Sequence, residues 1–99
     1  MRFRLTDYGE VFSTRPRGAE LLALLEQQAS AATVIEIDFD GVKSVSYSFA
    51  DEFVGELAER ASRDANYEVA LAHVPQRAER VIFGSLERRG LDRAVLAYA

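Results

Sequence analysis

Ninety-nine residues with 48% hydrophobic and 28% charged side chains describe one soluble globular domain, spanning 1–99 and large enough to close a core on its own. Sixteen acids against twelve bases leave a net charge of −4, which excludes the long-range basic field of a nucleic-acid binder. The lack of cysteine excludes disulfides, thiolate metal sites and cysteine nucleophiles, and no apolar run approaches the ~20 residues that span a bilayer.

In chain order, Arg2 to Leu5 predicts a short strand with Phe3 and Leu5 on one face, broken by Gly9, and Val11-Phe12 predicts a second. Ser13 or Thr14 is placed to cap a helix with Pro16 in its first turn, where a missing N–H does no harm. Leu21, Leu22 and Leu25 then recur at helical spacing as far as about Ala29. Thr33 to Phe39 alternates Ile35, Ile37 and Phe39 with Glu36 and Asp38, the pattern of a strand, with Val34 on the acidic face and Gly41 supplying the turn.

A serine-rich connector leads to a helix predicted over about Phe49 to Ser62, with Ala50, Phe53, Val54, Leu57 and Ala61 inward. Tyr67 to Val74 is apolar on both faces and predicts a central strand with helices above and below. Pro75 opens a third helix over about Gln76 to Arg89, whose Gly90-Leu91 reads as a Schellman stop. Gly84 within it suggests a close helix–sheet contact, and Arg93 to Tyr98 closes the chain as a strand. Strands alternating with helices predict an α/β fold: a mixed, mostly parallel sheet of 4–5 strands with three helices packed on it.

The informative chemistry lies in IDFDGVKSVSYSFADEFVGEL, from Ile37 to Leu57. Ser48-Phe49-Ala50-Asp51 fits a capping box with Asp in place of Glu, contributing about 0.5–2 kcal/mol. In the alternative reading Ser46 or Ser48 accepts a phosphate of about −1.5 to −2 charge. Asp51 and Glu52 in the first turn would repel that phosphate, so this helix start is expected to be permanently acidic and its phosphorylation weak or absent.

Three other constellations carry less. Asp38 and Asp40 share one side of a strand end, as in receiver-type Mg²⁺ sites, but the only lysine is Lys43, in the connector. His73 is the sole histidine, and no Gly-x-Ser-x-Gly elbow accompanies it. Arg15 and Arg17, beside Ser13 and Thr14 at a helix start, could bind an anion or, in a solvated cap, bind nothing.

The segment Val34 to Leu57 resembles STAS domains, the fold of bacterial anti-sigma factor antagonists: an acid-ended strand, the Asp40-Gly41-Val42 turn, and a Ser46-Tyr47-Ser48 helix entry. VFSTRPRGAELL together with DFDGV and SFADEF is similar to the bacterial STAS-like domains of unknown function. In the STAS alignment the motif Asp falls on Ser46, the phospho-acceptor serine on Tyr47, and Gly-Leu on Phe49-Ala50, so the regulatory serine does not carry over directly.

The resemblance implies a non-enzymatic module without cofactor or metal that binds a protein, such as an ATP-binding kinase-like or anti-sigma-type partner. The surface it implies is Ser44, Ser46, Tyr47, Ser48, Asp51 and Glu52. The alternative is a small-ligand or nucleotide-binding domain using Ser13, Thr14, Arg15 and Arg17. With no signal-peptide core in MRFRLTDYGE, a cytoplasmic location away from membranes is expected.

Overall fold

The computed structural model describes residues 1–29 and 34–99, so the expected strand start at Thr33 lies outside the described residues. Strand β1 (Arg2–Arg4) is followed by a 3₁₀ turn at Leu5–Asp7, and β2 (Val11–Phe12) by helix α1 (Arg15–Gln28). Strands β3 (Val34–Asp38) and β4 (Ser44–Val45) lead into α2 (Tyr47–Ala50), a π turn at Asp51–Gly55, and α3 (Glu56–Arg63). Backbone angles at Ala50, Asp51, Gly55 and Glu56 are all α-helical, so α2, the π turn and α3 form one continuous central helix. Strand β5 (Glu68–Ala72), helix α4 (Gln76–Arg88), a 3₁₀ turn at Arg93–Val95 and β6 (Leu96–Tyr98) complete the chain.

The main sheet has the order β1-β3-β5-β6, and β2 pairs with β4 in a separate two-stranded ribbon. Every pairing among the described residues is parallel, with Phe3 opposite Ile37, Ile37 opposite Leu71, and Val69 opposite Leu96. The α/β expectation holds, and the "mixed" sheet is in fact wholly parallel. Each step along the main sheet runs in the same direction, and right-handed crossovers then place all connecting helices on one face. The central helix lies between α1 and α4 in that layer and touches both.

The core forms between this layer and the sheet. Phe3, Ile35, Ile37, Val69, Leu71 and Leu96 point into it and are buried. The alternate residues Arg2, Arg4, Val34, Glu68 and Ala97 are exposed on the far side. Strand β5 is therefore central but covered by helices on one face only, and the expectation of helices above and below fails. Its outward alanines explain the misreading: alanine is apolar enough to suit a core, Ala70 is small enough to lie half-buried on an open sheet, and Ala72, beside Asp38, is buried.

Local signals were followed closely at two helix ends. Thr14 caps α1, its hydroxyl accepting from the Arg17 amide at 3.2 Å with Pro16 in the first turn. At the end of α4, Gly90 has φ +70, the Leu91 amide donates to the Leu86 carbonyl at 2.8 Å, and the Gly90 amide donates to Glu87 at 3.0 Å. These are the two bonds of a Schellman motif. Gly84 makes no close contact with the sheet; a Cβ added there would meet the Tyr47 ring at 3.8 Å, an ordinary van der Waals distance.

Candidate functional site

The connector between β3 and the central helix is built differently from its expected form. Ser44 and Val45 form β4, which hydrogen-bonds to the β2 segment: the Lys43 amide donates to Glu10 at 2.8 Å and the Ser46 amide to Phe12 at 2.9 Å. The helix begins at Tyr47, two residues earlier than expected. Its cap is Ser46, whose hydroxyl accepts from the Phe49 amide at 3.1 Å. The capping box on Ser48 is thus overturned: Ser48 already lies inside the first turn, and Asp51 does not reach back to it.

Two nearby serines therefore separate by experiment. Ser46→Ala is expected to cost about 1 kcal/mol in urea unfolding, the ordinary value of a lost cap. Ser48→Ala is expected to cost less than half of that.

Asp51 instead joins the three helices. Its carboxylate accepts from Ser85 Oγ at 2.6 Å, Arg89 Nε at 2.9 Å and Arg15 at 2.8 Å, and Arg89 also donates to the Asp51 backbone carbonyl at 2.9 Å. Burial pushes the carboxyl pKa up, but Arg89, Ser85 and Arg15 outweigh it and hold the group well below the usual carboxylate range. A π turn shifts carbonyls out of the regular helical register, and here the Arg89 guanidinium meets one of them. Gly55 permits the crossing: a Cβ there would stand 2.6 Å from Ser85 Oγ and 2.7 Å from Arg89 Nε.

The helix start is consequently not a free acidic face. Arg15 pairs with Asp51 and, at 3.3 Å, with Glu52, and Arg88 lies over the Tyr47 ring at 5.8 Å. The repulsion expected between a phosphate and these acids is largely offset by their own arginines. Ser85 and Arg89, central to this cluster, were not singled out as site residues in the sequence. The small residue Gly55 within an apolar helix face was the available signal of a close helix crossing.

The same network answers the anion-site reading. Arg15 is occupied by Asp51 and Glu52, and Arg17 by Glu20 and the Tyr8 carbonyl at 2.7 Å. Thr14 is used as a cap, and Ser13 stands exposed before the helix. Carboxylates of the chain itself thus take the position an anionic ligand would need.

Asp38 and Asp40 do not form a cation site. Asp38 is 2% exposed, paired with Arg2 and with His73 Nδ1 at 3.0 Å, and its carboxylate closes the turn by accepting from the Asp40 amide at 2.9 Å. Asp40 is exposed. No group of three His, Asp or Glu side chains able to hold a metal occurs among the described residues. His73 adopts φ +56, a conformation costly for a residue with a Cβ, and sits at the sheet rim with its ring against Asp38.

Burial raises the Asp38 pKa, while the Asp40 amide, His73 and Arg2 together lower it from 3.8 to about 2. A carboxyl depressed on folding stabilises the fold fully above its unfolded pKa and loses that contribution as pH falls toward its folded value. Melting temperature is expected to fall between about pH 4 and pH 2. In Asp38→Asn that acid-dependent loss becomes shallower and the Tm at neutral pH is lower; an unchanged slope would count against the pairing.

No helix among the described residues is long and apolar enough to cross a membrane. A family model described as STAS-like domain of unknown function (DUF4325) matches residues 17–69. No curated protein and no solved structure matches the chain.

Proposed function

Residues 17–69 are more than half of the chain, which therefore belongs to the STAS-like domains of unknown function, and from this premise we propose that it is a non-enzymatic, regulatory protein-interaction module. Its partner is an ATP-binding protein of the kinase-like or anti-sigma type, and the contact is made by the Ser44–Ser48 connector and the head of the central helix.

The observation that carries this reading is the division of labour among the polar groups. Asp38 and Asp51 are consumed in internal ion pairs. Ser44 stands exposed on the connector, and Ser46, Tyr47 and Ser48 remain part-exposed at the helix entry. Asp51 therefore contributes by fixing the helix that presents this surface rather than by touching the partner. Glu52 keeps a quarter of its side chain exposed and lies at the edge of the surface.

A photo-crosslinking amino acid placed at Ser44, with the exposed Ser62 as control, tests the reading in cells that make the protein. The expected product is a crosslinked protein that is retained on immobilised ATP and is obtained from position 44 alone. Equal crosslinking from both positions, or none from position 44, overturns the proposal.

A further inference from the structure

Between the connector and the start of α4 runs an open groove of about 400 Å³, within the range of ligand-binding clefts. Val42 and Ala78 form its floor, and Val45 and Pro75 are half-buried walls. Its rim is Lys43 and Ser44 on one side and Gln76 and Arg77 on the other, all exposed. No acid lines it, although the chain holds sixteen acids to twelve bases. Lys43 meets only Glu10, at 3.3 Å, in a pair whose partners are 70% and 58% exposed. Such a pair contributes little and exchanges readily. Arg77 makes no ion pair among the described residues. Helix α4 is entered through Pro75 without a side-chain cap, so its first amides add partial positive charge to the same rim, offset in part by Glu79 in the first turn.

We propose that this groove receives the partner, and that the docking segment is an acidic, apolar peptide: one or two Asp or Glu residues flanked by aliphatic or aromatic side chains. The inference rests on the interaction reading above and gives its partner a chemistry. The apolar floor argues against a simple inorganic anion, which would leave Val42, Val45, Pro75 and Ala78 unused. Two basic side chains without an aromatic platform argue against a nucleic-acid strand.

The test is display of a random twelve-residue peptide library on the whole protein, counter-selected on the double variant Lys43→Glu, Arg77→Glu. Both positions are exposed, so the variant is expected to melt with the wild type. Enriched sequences are expected to combine acids with apolar residues. A synthetic peptide of the leading sequence should move the amide resonances of Lys43–Val45 and Gln76–Ala78, and the double variant should bind it at least about tenfold more weakly.

Enrichment of basic or uncharged peptides overturns the proposal, as do resonance shifts elsewhere, equal binding by the variant, or no enrichment. Displacement by millimolar inorganic phosphate as effective as by the peptide also overturns it. The crosslinking result separates this inference from its premise. Capture of an ATP-binding protein by wild type and double variant alike sinks the groove and leaves the interaction reading. Acidic peptides that bind the groove without any such capture strike the identity of the partner instead.

Discussion

Phe53→Ala is expected to lower the unfolding free energy by about 3–5 kcal/mol, the usual cost of emptying a fully packed aromatic site. Phe53 is 0% exposed, with its ring centroid 5.8 Å from Phe3 on β1 and 5.6 Å from Phe49 on α2. Phe49 continues to Phe12 at 4.9 Å, and Phe3 to Tyr8 at 5.0 Å. One deletion therefore interrupts a chain of five rings that fixes the central helix to both small N-terminal strands. Domains of this size have about 5–15 kcal/mol to lose, so the variant should forfeit a large fraction of its stability and melt at a markedly lower temperature. Circular dichroism melting and urea titration read this directly. Phe53→Leu refills part of the volume and should recover more than half of the loss; equal loss in both variants would contradict a cavity as the cause.

Asp51→Ala is the second large effect, at about 3 kcal/mol. The number follows from what is left behind. Arg89 and Asp51 each have only 17% of the side chain exposed, and Arg89's other acids, Glu59 at 3.6 Å and Glu56 at 3.8 Å, are too distant to replace a 2.9 Å bond. Ser85, 1% exposed, loses its acceptor as well. Removing one member strands a guanidinium and a hydroxyl between helices, which is worse than lacking the pair altogether. A drop of about 12–24 °C in Tm is the calorimetric equivalent for this chain length. The double variant Asp51→Leu, Arg89→Leu should be closer to wild type than Asp51→Ala alone. Additive losses would show that the two residues do not act as a pair.

The sequence carried the order of elements well because α1 and α4 had local starts or stops: Thr14 with Pro16, Pro75, and Gly90-Leu91. It carried the buried faces of β1 and β3 through alternation, since Phe3, Ile35 and Ile37 are interleaved with Arg2, Arg4, Glu36 and Asp38. It did not carry the helix entry. Ser46 and Ser48 are chemically equal candidates for a cap, and the choice was made by β4, whose pairing with β2 fixes where the extended backbone must end. Nor did it carry the fate of Asp51. Its partners, Ser85 and Arg89, are 34 and 38 residues away, beyond any local pattern. What no local pattern shows is that the acids beside Ser44 to Ser48 are paired with Arg15 and Arg89 rather than left as a free acidic face.

The sheet order has a consequence for how the domain can be divided. The stretch 17–69 matched by the family model contains all of β3 but neither of its finished neighbours: β1 lies upstream, and β5 has only begun at Glu68. The same stretch holds Phe49 and Phe53 without Phe3 and Phe12, and Asp51 without Arg15, Ser85 and Arg89. The matched stretch is thus the middle of a cooperative unit, not a detachable part. An excised 17–69 peptide should remain a random coil, and it should regain structure only when the two flanking segments are supplied together.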